Sequence, residues 1–211
     1  ENGVVLAYTV TNSSNAPLGF DLHAEANGSG MIVPGLAGFP VPSVPAAGAT
    51  FTPASVTIAV DNPSAGTLLT YDAADTATVI NTIAPGDSAR VFVVVDVPAT
   101  ASQDQYALVT LVAQSAETNG SYGNIGLLIT TDGNGNVSPG NTNPITDVID
   151  DATVQDVFND GASDATYDFV AGGSFVAADA VRNGQSSDTD GVLINGANLK
   201  LTKVAEVIWV Q

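Results

Sequence analysis

The feature that most constrains this chain is a two-residue period. In Phe20-Asp21-Leu22-His23-Ala24-Glu25-Ala26, apolar and polar side chains alternate without a break. Successive side chains of an extended strand point to opposite faces, so this run is a strand with one buried side. The same texture predicts strands over residues 4–11, 56–60, 68–71, 78–83, 89–97, 106–114, 125–130, 167–170 and 174–178. Residues 4–11 and 19–26 flank the turn-rich Asn12-Ser13-Ser14-Asn15-Ala16-Pro17 and are expected to form a hairpin with a long turn. Ala84-Pro85-Gly86-Asp87 is a strong turn, with Pro in the second position and Gly in the third.

Punctuation between the strands is just as informative. Pro34, Pro40, Pro42, Pro45 and Pro53 rule out continuous ladder pairing over residues 34–53, because proline lacks the amide hydrogen. Gly- and Asn-rich loops are expected over 117–123 and 131–143. Only Ile145, Val148, Ile149 and Ala152 follow a helical stripe, predicting one short helix that ends near Phe158. Short strands separated by turn chemistry predict an all-β fold: an antiparallel β-sandwich with long Gly/Asn/Pro-rich loops and at most one or two short helices. Residues 1–211 are read as a single elaborated domain, with a candidate subdivision near 116–123.

Charge narrows the function. Four Lys and Arg residues stand against 22 Asp and Glu, a net charge of −18. Four scattered cations cannot neutralise a run of phosphates, so neither nucleic acid nor an anionic lipid surface is an expected partner. The longer apolar runs, such as residues 91–95 and 207–210, are far shorter than the roughly 20 residues of a membrane helix, so no membrane insertion is expected. With no cysteine, thiolate chemistry and disulfides are excluded. The single histidine, His23, sits on the polar side of its strand, and no nucleophile-elbow sequence accompanies it. A catalytic role is therefore not expected.

Two acidic stretches are candidates for calcium. Asp132, Asn134 and Asn136 have the alternate spacing that turns oxygen ligands toward one cation. Val137 stands where that motif needs glycine and Asn143 where it needs a bidentate Glu, leaving Asp147, Asp150 and Asp151 as more distant donors. Asp188-Thr189-Asp190-Gly191 is the second stretch, and both also read as ordinary polar turns. N-x-S/T sequons occur at Asn12, Asn27, Asn119 and Asn136, about the number chance provides in a chain this rich in Asn, Ser and Thr.

Both ends of the chain are apolar strand formers: Val4, Val5 and Leu6 at one, Val207, Ile208, Trp209 and Val210 at the other. Residues 199–210 read as a strand whose alternation gives way to a continuous apolar run, as in a strand buried on both faces. Such ends either pair within their own sheet or complete the sheet of a neighbouring copy, where backbone bonds supply affinity and alternate side chains supply specificity. These seven residues are the candidate subunit contacts.

Three stretches resemble a known family. Leu6-Ala7-Tyr8-Thr9-Val10-Thr11-Asn12-Ser13-Ser14-Asn15 looks like the opening strand of the Ig-like conserved repeats of large bacterial and archaeal surface proteins. Residues 83–99, from Ile83-Ala84-Pro85-Gly86-Asp87 to Val97-Pro98-Ala99, look like the core of those repeats, and Leu199-Lys200-Leu201-Thr202-Lys203-Val204-Ala205 resembles their linking strand. The resemblance implies an extracellular Ig-like sandwich used as a building block, with no active site. The family occurs in tandem arrays, whereas one copy is visible here. The expected function is a structural subunit of an extracellular filament or surface layer that polymerises with copies of itself through a shared terminal strand. One repeat of a large adhesin or stalk is the alternative. A carbohydrate-binding sandwich is a third reading, disfavoured by 6% aromatic residues and a single tryptophan within an apolar strand.

Overall fold

The structure, a computed structural model, describes residues 3–14, 16–27, 50–131, 137–139, 167–170, 174–177 and 185–194. Every regular element among them is a strand: β1 (Gly3–Thr11), β2 (Leu18–Ala26), β3 (Ser55–Val60), β4 (Val79–Ile83), β5 (Ser88–Asp96), β6 (Tyr106–Ala116), β7 (Ile129–Thr131), β8 (Val137–Pro139), β9 (Tyr167–Val170), β10 (Ser174–Ala177) and β11 (Gln185–Leu193). A three-stranded sheet in the order β1-β5-β3 faces a four-stranded sheet in the order β11-β6-β2-β4, and all the pairings are antiparallel. β1 lies across from β11, β3 from β2, and β4 from β5. The fold is an all-β antiparallel sandwich. The helix expected from Ile145 lies outside the described residues.

Alternation decides what fills the space between the sheets. Leu6 and Tyr8 of β1, Leu18, Phe20 and Leu22 of β2, Val91, Val93 and Val95 of β5, and Ala107, Val109 and Leu111 of β6 all point inward. Val91, Val93, Val95 and Val109 are completely buried. β-Branched valines suit this place, since their restricted rotamers lose little on packing against a pleated surface. β6 departs from simple alternation, because Thr110, Val112 and Ala116 on its other face are also fully buried. β9 lies close to both β6 and β11, so the larger sheet is covered at its centre on both sides.

Three expectations from the sequence are corrected. The strand expected over residues 125–130 is reduced to its end, where β7 begins at Ile129. β1 and β2 do not form a hairpin: β1 pairs with β5, and β2 pairs with β4 and β6 in the opposite sheet. Their apolar sides face each other across the core instead of lying in one plane. Residues 68–71 do not form a strand. Asp61 Oδ2 accepts the Leu69 amide at 2.8 Å, and Asp72 accepts the amides of Thr67 and Ala74. Carboxylates thus take the donors that a ladder needs. Leu69 adopts a left-handed backbone with φ 63°, and Tyr71 folds over the outer face of β5 to meet the Phe92 ring edge-on at 5.8 Å.

Candidate subunit-contact site

Of the two candidate contact segments, β1 is the one that the structure describes. Its nine residues run in unbroken register along β5, from Gly3 opposite Asp96 to Thr11 opposite Ser88. Val4, Leu6, Tyr8 and Val10 take the inner face, with Leu6 and Tyr8 buried and Val4 and Val10 only partly covered. Val5 lies on the outer face, half-buried, beside exposed Ala7 and Thr9. Of the predicted contacts, Val4, Val5 and Leu6 are therefore in one strand at a sheet edge. Val207, Ile208, Trp209 and Val210 lie outside the described residues, as do Asp132, Asn134 and Asn136 of the candidate calcium loop.

Tyr8 anchors this strand. Its hydroxyl crosses the core and donates to the Val109 carbonyl of β6 at 2.9 Å. Burial pushes the phenol strongly upward from its ordinary value, and the negative charges of Asp190 and Asp188 on β11 add to the effect. The neutral phenol is therefore the donor at every physiological pH.

A second anchor stands where β1 ends. Asn12 is 1% exposed, and its side-chain amide donates to the carbonyls of Ala16 and Ile83, both at 2.8 Å. Its Oδ1 accepts from the Ser14 amide and hydroxyl. Its main chain bonds Asp87 O and Gly86 N, within the turn formed by Ala84-Pro85-Gly86-Asp87. That turn is present as expected, closed by Asp87 N to Ala84 O at 3.0 Å with Gly86 at φ 82°. It joins β4 to β5, and so passes from one sheet to the other. Asn12 thus fastens the two inter-sheet corners of one end together. Nothing in the local pattern Asn12-Ser13-Ser14 marks this, because such a triplet is ordinary turn chemistry.

The same bonds bear on the sequons. A glycan needs a free amide, and that of Asn12 is consumed in the core. Asn27 is engaged too: its Nδ2 donates to Phe51 O at 2.6 Å and its Oδ1 accepts from Leu108 N at 3.0 Å. With φ 53°, Asn27 ends β2 by substituting its side chain for the next ladder partner. Asn136 lies outside the described residues.

The second acidic stretch is corrected outright. Asp188-Thr189-Asp190-Gly191 is not a turn but the middle of β11, where Asp188 pairs with Leu111 and Asp190 with Val109. Asp188 and Asp190 lie two residues apart on the side facing β1, while Thr189 turns the other way to share a 2.7 Å hydrogen bond with Thr110. Gln185–Leu193 escapes prediction as a strand because its first six residues are polar, and what holds it is main-chain pairing to β6. Among the described residues, no group of three or more His, Asp or Glu could hold a metal ion. His23 lies on the outer face of β2, 3.1 Å from Asp21 Oδ2 and 23% exposed, less open to solvent than its alternation suggests.

Burial raises the Asp190 carboxyl from its ordinary value of 3.8, the Gly191 amide opposes the shift, and the Asp188 charge adds to it. An acid with a raised folded-state pKa holds its proton more tightly folded than unfolded, so stability falls as pH rises through that value. Asp190→Asn keeps an oxygen for the Gly191 amide and removes the charge. In a Lys200→Gln, Lys203→Gln background, which leaves Asp190 only the neighbours described here, the expected result is a higher melting temperature at pH 7, with the gain gone at pH 3, where aspartate is largely neutral in both states. An unchanged or lower melting temperature at pH 7 contradicts this account.

No family model matches the chain, and comparisons with curated proteins and with solved structures also give no match.

Proposed function

We propose that this chain is a non-catalytic structural subunit of an extracellular filament or surface layer, joined to copies of itself by a terminal β-strand shared between neighbours. The observation that carries this reading is β1 itself: an uncharged, nine-residue strand at a sheet edge which pairs, among the described residues, with β5 alone. An edge of that kind presents a row of main-chain donors and acceptors to any strand that comes alongside. Residues 207–210, apolar throughout, are the candidate for such a strand. The net charge of −18 supports a role outside close packing, since it keeps free subunits apart until a specific pairing brings them together.

Electron microscopy and size-exclusion chromatography of the full-length chain at rising concentration test the reading. Filaments or concentration-dependent oligomers are expected. Versions lacking residues 3–8 or 206–211 should lose them. A chain that stays monomeric at millimolar concentration, unseeded and seeded alike, rules out strand sharing and leaves the single-repeat reading.

A further inference from the structure

Two facing sheets have four outer edges, and three of them are closed or defended. β3 ends where Val60 donates to Ala77 O at 2.8 Å and receives the Tyr122 hydroxyl at 2.6 Å. β4 is only five residues long, and its Asn81 exchanges two hydrogen bonds with the main chain of Asn119. β11 carries Asp188 and Asp190 on its inner side, and inward-pointing charge is a recognised way to keep an edge from pairing. Among the described residues, β1 has none of these devices. It contains no charge, no proline and no shift of register.

We infer that the outer edge of β1 receives residues 199–210 of this chain as a further strand, with Lys203, on the same face as Leu199 and Leu201, beside Asp188 and Asp190. Charge is the first argument. In a chain of net charge −18, residues 199–211 hold two of the four cations, Lys200 and Lys203, against one acid, Glu206. The seam between β1 and β11 holds two carboxylates, close enough for both to act on the Tyr8 phenol. The second argument is reach. Ile194 is fixed between Asp104 and Gln105 by two main-chain bonds, at the end of the sandwich where β5 finishes and Gly3 of β1 begins. Four residues separate Ile194 from Leu199, and at about 3.3–3.6 Å per residue they span the roughly 10 Å between facing sheets. Coverage is the third. Val4 and Val10 point into the core but stay partly exposed at this edge, and a strand alongside β1 would cover them.

The inference depends on the strand-sharing proposal only for which copy supplies the segment. Cysteine trapping tests it in the full-length protein, whose lack of cysteine makes every cross-link assignable. Ala7→Cys on β1 is combined with single cysteines stepped along residues 200–209, and Thr57→Cys, exposed on the other edge strand of the same sheet, replaces Ala7→Cys as the control. Disulfides form only when Cα atoms come within about 7 Å, so Ala7→Cys should trap a few alternate positions about tenfold faster than the control does. Trapping no faster than the control, or without preferred positions, overturns the inference. If filaments still form in that event, the functional proposal survives it. Intramolecular bonds alone support the edge assignment and refute polymerisation through it. Covalent dimers from mixed single-cysteine variants, and ladders from the paired-cysteine variants, support both.

Discussion

Replacing Tyr8 with alanine is expected to destabilise the protein by about 3–5 kcal/mol, the usual loss for a buried aromatic side chain removed from a packed core. Tyr8 is 6% exposed and stands between Leu6 and Val10 on the inner face of an edge strand. Tyr8→Phe separates the two parts of the effect. The ring remains, but the hydroxyl no longer meets Val109 O, so a loss of about 1 kcal/mol is expected. Urea unfolding followed by tryptophan-independent circular dichroism measures both. If Tyr8→Ala costs under about 1 kcal/mol, β1 is not packed in its own domain. The strand would then be the donated one, and the acceptor edge inferred above would be wrong.

Asn12→Ala should cost about 2–3 kcal/mol, more than its small size suggests, because it strands buried main-chain acceptors at two corners. Alanine keeps neither the donor to Ile83 O nor the acceptor for Ser14. Asn12→Asp is the sharper variant. It retains the acceptor, loses both amide donors, and at neutral pH sets a charge where only 1% of the residue meets water. Its penalty should therefore be larger at pH 7 than at pH 3, where the protonated acid can donate one bond. Thermal melts of the three proteins at both pH values decide the matter. A cost within 0.5 kcal/mol, typical of surface positions, would mean that the corner is held by something else.

Both predictions concern residues whose importance the sequence does not advertise. Asn12 lies in a Ser- and Asn-rich turn, and Tyr8 is one of many apolar residues in alternating strands. What singles them out is a partner far along the chain: Ile83 for Asn12, and Val109 for Tyr8.

Local chemistry alone determined which segments are extended. β1, β2, β3, β5, β6 and β9 fall where the two-residue period puts them, because the period follows from the geometry of a single strand. The turn at residues 84–87 was equally legible, since proline and glycine set their own dihedral angles. The polar strand β11 was not, because no apolar face marks it and only the neighbouring β6 makes it extended. Nor could alternation say that β1 and β2 lie in different sheets. An apolar face states that something covers it, and both a neighbour in the same sheet and a strand across the core satisfy that demand. Only the tertiary structure chose between them, by joining both corners through Asn12 and by setting the valines of β5 between β1 and β3. The same limit applied to Asp188 and Asp190: a pair of acids two residues apart suits a turn or a strand, and long-range pairing with β6 selected the strand.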